Sequence, residues 1–369
     1  MNILSVLQLL GGVGLFLYGM NLMGSSLKTL AGGKLSKILE RLTTSKKKGI
    51  GEIKGWALGT GVTGIIQSSA ATTIMLIGFV NAGIMSLAQA IPVVFGANVG
   101  STVTAQILRL GDLGAGSLIL QLLKPSSFAP LLVGISAFIL LFSNNKKMNN
   151  IAGIMIGLGI LFYGMTTMES VFEPLRESPE FRALFTAFTN PLIGILTGIL
   201  ITALIQSSSA SVGILQALSA TGIVTYSIMF PYLIGQNIGK CLTVILGSIG
   251  ATKNAKRVSV SYLLFNILQA IGFTLLIYGI YYTVGIPFFD QPVNRGIIAN
   301  FHLGTNLITS LVLLPFCSQM AKLTEKLIGK DTVDDENLEF SKLDDMLLNT
   351  PTVALDQCHS LILHMIDCV

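Results

Sequence analysis

Residues 55–108, GWALGTGVTGIIQSSAATTIMLIGFVNAGIMSLAQAIPVVFGANVGSTVTAQIL, contain no Asp, Glu, Lys, Arg or His. A helix crossing a bilayer needs about 20 apolar residues, so a block of this length holds more than one membrane segment. The same absence of charge recurs over 183–239 and 258–289, and in 296–321 the one titratable group is His302. Around these blocks the 369-residue chain is 51% hydrophobic and only 11% charged, against about 25% charged in a soluble domain. Its mean hydropathy is +0.74, and its 39 glycines suit spanning helices, where Gly is more frequent than in soluble ones. This composition excludes disorder, collagen and a nucleic-acid binder, since 23 Lys+Arg against 18 Asp+Glu is a small excess. Cys241, Cys317, Cys358 and Cys368 show neither metal-ligand nor disulfide spacing. The apolar run from Ile3 to about Leu27 lacks a basic leading region and a small-residue cleavage site, so it reads as a span and not a signal peptide.

The basic residues are grouped. Lys28, Lys34, Lys37, Arg41, Lys46, Lys47, Lys48 and Lys54 fall between the first span and the first uncharged block. Lys146 and Lys147 share one loop, Lys253, Lys256 and Arg257 another, and Lys322, Lys326 and Lys330 follow the last apolar run. The positive-inside rule puts all four places in the cytoplasm. Spans are then expected at 3–27, 86–108, 116–142, 151–170, 225–248, 258–284 and 296–318, with the N-terminus outside and the C-terminus cytoplasmic. For the lysine loops to share one side, 56–82 and 191–222 must each return to the face they entered from. That makes them re-entrant hairpins.

The chain also repeats itself. Gly14–Met23 matches Gly159–Met168, with Tyr18 on Tyr163 and Met20 on Met165. Residues 59–104 align without a gap on 198–243, placing Gln67-Ser68-Ser69 on Gln206-Ser207-Ser208, Pro92 on Pro231, Asn98 on Asn237 and Thr104 on Thr243. Three spans per copy is an odd number, so the second copy is inverted. The expected fold is therefore an all-α polytopic membrane protein of two inverted-topology repeats, each with a re-entrant helical hairpin and a broken helix. Repeat one covers 1–142 with its hairpin at 56–82, and repeat two covers 151–320 with its hairpin at 191–222. Inverted repeats with interrupted helices mark secondary transporters, whose substrate sits near the midplane.

Two polar clusters lie inside the uncharged blocks, Gln67-Ser-Ser-Ala-Ala-Thr-Thr73 and Gln206-Ser-Ser-Ser209-Ala-Ser211. A lone serine in a span usually bonds back to a helix carbonyl. Two matching clusters at the tips of segments that turn back point instead to a ligand. A half-helix N-terminus offers free N–H groups and partial positive charge to an oxyanion, and hydroxyl and amide oxygens replace a cation's water shell. Gly96-x-Asn98-x-Gly100-x-Thr102-x-Thr104 and Gly235-x-Asn237-x-Gly239-Lys240-Cys241-x-Thr243 each follow a proline by four residues, which predicts a break in the helix. Asn266 and Asn306, the latter one turn from His302, serve equally as packing contacts or ligands. Lys240 is an intramembrane charge, costly and a functional signal by default, either pairing with a bound anion or occupying a cation's place.

Paired Gln-Ser-Ser motifs, each followed by Gly-x-Asn-x-Gly-x-x-x-Thr, resemble the type II sodium-dependent phosphate cotransporters and their bacterial homologues. Ala299-Asn-Phe-His302-Leu-Gly-Thr-Asn306 and Leu264-Phe-Asn266 look like family stretches as well, and the resemblance covers about 1–320. It implies symport of inorganic phosphate with Na+ by alternating access, in a bacterial cytoplasmic membrane. Phosphate would meet Gln67, Ser68, Ser69, Gln206, Ser207, Ser208, Ser209, Asn98 and Asn237; Na+ would meet Gln67, Thr102, Gln206, Ser207 and Thr243. Two departures stand out: Ala70 replaces a usual third serine, and Lys240 a usual threonine beside a cation site. The ammonium of Lys240 is therefore expected to stand in for one sodium. The acidic stretch after Lys330 and the helix start at Thr350-Pro351 make 331–369 resemble a linker and the opening of a PhoU-like helical domain, cut short.

An intramembrane serine hydrolase fits poorly, because a nucleophile has no reason to be duplicated upside down. A phosphate-binding sensor, or a carrier for another small oxyanion, remains open as an alternative. Expected partners are phosphate and the lipid bilayer, with no nucleic acid; a homodimer is compatible with this reading.

Overall fold

The computed structural model describes residues 3–31, 50–112, 125–174 and 188–329. The expected PhoU-like segment, 331–369, and most of the first lysine cluster lie outside the described residues. Among the described residues, fourteen α-helices run in chain order: α1 (Ile3–Ala31), α2 (Ile50–Ile66), α3 (Ser69–Asn81), α4 (Leu87–Gly100), α5 (Val103–Leu108), α6 (Pro125–Phe142), α7 (Lys146–Phe172), α8 (Pro191–Ile205), α9 (Ser208–Ser219), α10 (Tyr226–Gly239), α11 (Cys241–Leu246), α12 (Lys253–Thr283), α13 (Arg295–Leu313) and α14 (Cys317–Ile328). There is no named strand among the described residues; Thr225 and Pro292 form an isolated bridge. Without water to accept backbone hydrogen bonds, a chain this apolar satisfies its amides within helices.

Six described segments are long and apolar enough to cross a bilayer: Ile3–Leu30, Leu87–Leu108, Lys146–Phe172, Tyr226–Leu246, Lys253–Thr283 and Arg295–Ile328. The expected span 116–142 is described from 125 onward, where α6 is a shorter apolar helix. Large apolar side chains stay exposed around the perimeter, Leu204 at 82% and Phe142 at 78% among them, which is the surface that lipid covers.

The most extensive pairings are α1 with α7, α2 with α4, and α8 with α10. Helices this close are held by small residues in place of a hydrophobic drive, since lipid tails are as apolar as leucine. A Cβ on Gly19 would strike the backbone of Gly157 and Leu161, and one on Gly164 the backbone of Gly12 and Phe16. Contacts that run 12 to 164 and 19 to 157 make α1 and α7 antiparallel.

The helices are interrupted inside the two Gly-x-Asn-x-Gly-x-x-x-Thr stretches, though not at the prolines themselves. Pro92 and Pro231 lie inside α4 and α10 without ending them. A proline in the second turn removes one ladder bond, and the close approach of Gly55 and Gly194 onto those rings keeps the helix packed through it. The interruptions come later, at Ser101–Thr102 and at Lys240. They are single tightened turns rather than unwound loops, with Thr102 at φ −78°, ψ −13° and Lys240 at φ −63°, ψ −19°.

Candidate anion site

Each polar cluster sits where the chain reverses. The side chain of Thr63 donates to that of Thr72 over 2.9 Å, and Thr202 donates to Ser211 over 2.8 Å. In an unbroken helix residues nine apart are separated by about 13.5 Å along the axis, so both pairs of helices, α2–α3 and α8–α9, fold back at their junction. Gln67 (φ +59°) and Gln206 (φ +56°) make the turn, the only described non-glycine residues with positive φ. Each backbone N–H still closes its helix, onto Thr63 O and Thr202 O. A left-handed conformation costs an L-residue about 1–2 kcal/mol, and strain of this kind collects at functional sites.

The next residue restarts the helix. Ser68 (φ −142°, ψ 105°) and Ser207 (φ −140°, ψ 109°) are N-caps whose hydroxyls accept from Ala71 N–H at 3.1 Å and Ala210 N–H at 3.2 Å. The N–H groups of Ser69, Ala70, Ser208 and Ser209 precede the first intrahelical bonds. The two copies also agree in their packing: a Cβ on Gly59 would meet Val93 O and one on Gly198 Tyr232 O, while Gly96 faces Trp56 O and Gly235 faces Ile195 O. The match in sequence is thus a match in three dimensions.

Both tips line one cavity of about 410 Å³. From the first come Gln67, Ser68 and Ser69, and from the second Gln206, Ser207, Ser208 and Ser209. Gln67 is buried, its Oε1 without a hydrogen-bond partner among the described residues, whereas Gln206 is exposed. Lys240 also lines the cavity; it is 3% exposed, and its Nζ has no hydrogen-bond partner among the described residues. Nζ lies 5.7 Å above the ring of buried Tyr262, whose hydroxyl is 2.9 Å from Ser69 Oγ. A lysine of the second copy thereby reaches the tip of the first, and a cation–π contact is its described stabilising interaction.

The flanking amides and threonines are placed differently. Asn98, Asn237, Thr102 and Thr243 are not in the cavity lining. Asn98 Nδ2 donates to Val94 O, Asn237 Nδ2 to Gln269 Oε1, and Thr102 Oγ1 to Val99 O. The Oδ1 atoms of both asparagines, and Thr243 Oγ1, have no hydrogen-bond partner among the described residues. Asn266 and Asn306 bond the carbonyls of Tyr262 and His302, four residues back. His302 is buried with neither ring nitrogen hydrogen-bonded among the described residues.

Sequence reasoning missed the wall contributed by α1, where Met20, Asn21, Gly24, Ser25 and Lys28 face the cavity. Asn21, Ser25 and Lys28 recur at helical spacing, but the lysine reads in isolation as one more cytoplasmic charge. Among the described lining residues the ionisable ones are Lys28 and Lys240, with no acid. Such a chamber of hydroxyls, amides, free helix N–H groups and two ammoniums suits a small oxyanion.

Comparison with known proteins bears on the same residues. The chain is 28% identical over 95% of its length to YjbB of Escherichia coli (strain K12), a protein named for inorganic phosphate export, and spans 61% of that relative. It is 29% identical to YqeW of Bacillus subtilis (strain 168), covering 85% of this chain and 95% of the relative. Sodium-dependent phosphate transport protein 2B of Homo sapiens is 23% identical over 52% of the chain and 29% of the relative. No solved structure matches. The family model described as Na+/Pi-cotransporter matches residues 15–170 and 172–285, both tips and Lys240 included, and the chain belongs to the Na+/Pi-cotransporter family.

Proposed function

We propose that the protein is a secondary carrier and not an enzyme, moving inorganic phosphate across the bacterial cytoplasmic membrane by Na+ symport. The observation that carries this is the convergence of two matched helix reversals on one cavity whose described ionisable lining is wholly cationic. At about 1.5 Å per residue the 13 residues of α3, like the 15 and 12 of α8 and α9, fall short of the roughly 30 Å hydrocarbon core. That supports re-entrant hairpins from opposite faces, in two inverted repeats near 1–142 and 151–320, with the lysine-rich side cytoplasmic.

Phosphate oxygens would accept from the free N–H groups of Ser69, Ala70, Ser208 and Ser209 and from the serine hydroxyls, with Lys240 supplying charge. The sodium set draws on Gln67, Gln206 and Ser207. Thr102 and Thr243 join it only in a conformation that turns them to the cavity, as do Asn98 and Asn237 for phosphate.

Radiolabelled phosphate uptake into proteoliposomes tests the reading. An inward Na+ gradient should drive accumulation that unlabelled phosphate competes away and that protein-free vesicles lack. Saturable binding without flux would select a sensor, and equal competition by sulfate another oxyanion carrier. A second expectation separates fold from function at the reversals. Gln67→Gly and Gln206→Gly adopt positive φ without penalty, so thermal stability should hold or rise by up to about 1 kcal/mol. Phosphate uptake should nonetheless fall at least about tenfold, because the amide oxygen is gone. Full uptake in both variants would remove the glutamines from the site.

A further inference from the structure

We infer that α1 is a third wall of the anion site, and that Lys28 recruits phosphate to the cavity electrostatically. This rests on the phosphate reading above and adds a residue outside both Gln-Ser-Ser tips. Asn21, Gly24, Ser25 and Lys28 fall on one face of α1 and line the cavity together, at the three- and four-residue steps of a helix surface. Gly24 keeps the middle of that face low, and the two polar side chains and the ammonium project beside it.

The matched helix gives the contrast. Continuing the alignment of 14–23 on 159–168 puts Asn21 on Thr166, Gly24 on Glu169, Ser25 on Ser170 and Lys28 on Glu173. None of those four residues, three in α7 and Glu173 just past its end, lines the cavity. Glu169 is engaged by buried Arg295 of α13. The two copies thus differ where the stripe meets the chamber, one basic and open to it, the other acidic and outside it, with Glu169 tied to Arg295. A lysine in the last turn of a helix also suits the dipole, but that role needs no cavity and would stabilise the helix equally with or without phosphate.

Equilibrium binding of radiolabelled phosphate to the purified full chain in detergent separates the two. At low salt Lys28→Gln should raise the Kd about three- to fivefold and Lys28→Glu about tenfold or more, as expected for an exposed charge. Lys28→Arg should retain affinity, and Glu173→Gln should leave it unchanged. The Lys28→Gln difference should shrink near 1 M KCl, where the screening length falls to about 3 Å. Unaltered Kd in Lys28→Gln and Lys28→Glu, beside normal binding by the parent protein, overturns this inference alone. A parent protein that binds no phosphate overturns the underlying reading and this inference with it.

Discussion

Gly96→Ala and Gly235→Ala are each expected to abolish recovery of folded protein, whereas Gly61→Ala should fold as the parent does. A methyl group on Gly96 would lie inside the van der Waals envelope of Trp56 O, and one on Gly235 inside that of Ile195 O. The obstructing atoms are backbone, so no rotamer change relieves the clash, and the two helices must separate along their length. Overpacking ordinarily costs about 1–3 kcal/mol; here separation also forfeits the close packing that replaces hydrophobic drive inside a bilayer, so about 3 kcal/mol or more is expected for each. Gly61, on the same α2 helix, has open space where a Cβ would sit, and alanine there improves helix propensity by up to about 1 kcal/mol. Thermal melting followed by size-exclusion recovery distinguishes the three. A Gly96→Ala melt within a degree or two of the parent would mean that α2 and α4 do not pack as described, and with them the frame that holds the first tip.

That frame was readable in the sequence because membrane insertion writes itself in what is absent. Uncharged blocks bounded by lysines point to spans, and the duplicated Gln-Ser-Ser coincides with the turns at Gln67 and Gln206. The boundaries were less legible. The described part of α2 takes in Glu52 and Lys54 ahead of the uncharged block, since a helix continues through charged residues once it reaches the interface. The interruptions fall inside the expected Gly-x-Asn-x-Gly-x-x-x-Thr stretches, at Ser101–Thr102 and Lys240 and not at the prolines, because packing against Gly55 and Gly194 carries the helix past the missing ladder bond. The wall from α1 was invisible for another reason. Which face of a helix meets a cavity depends on its partner, and the antiparallel seating of α1 on α7 is a long-range contact that periodicity does not encode. The amides of Asn98 and Asn237 show the converse: a conspicuous motif whose side chains bond Val94 O and Gln269 outside the cavity lining.

Lys240 carries the other large expectation. A buried ammonium with no hydrogen-bond partner among the described residues is destabilising, and its ring contact with Tyr262 at 5.7 Å offsets only a part, typically about 0.5–2 kcal/mol. Burial of such a group beside two helix N-termini is costly in the free protein and favourable once an anion enters. A charge-assisted contact contributes about 1.5–3 kcal/mol, equivalent to roughly ten- to a hundredfold in affinity. Lys240→Met, which keeps the stem and removes the charge, should therefore raise the melting temperature while weakening phosphate binding by about that factor. Lys240→Thr supplies a hydroxyl where the ammonium stood and makes room for a hydrated or coordinated cation. If the lysine occupies a cation's place, this variant should transport poorly without Na+, regain flux as Na+ rises, and show a steeper Na+ dependence than the parent. If the lysine only pairs with the anion, Lys240→Thr and Lys240→Met should behave alike, both with raised half-saturation for phosphate and an unchanged Na+ curve. Identical Na+ activation in parent and Lys240→Thr would thus end the surrogate-cation role, and unchanged phosphate affinity in Lys240→Met would end the counter-charge role as well.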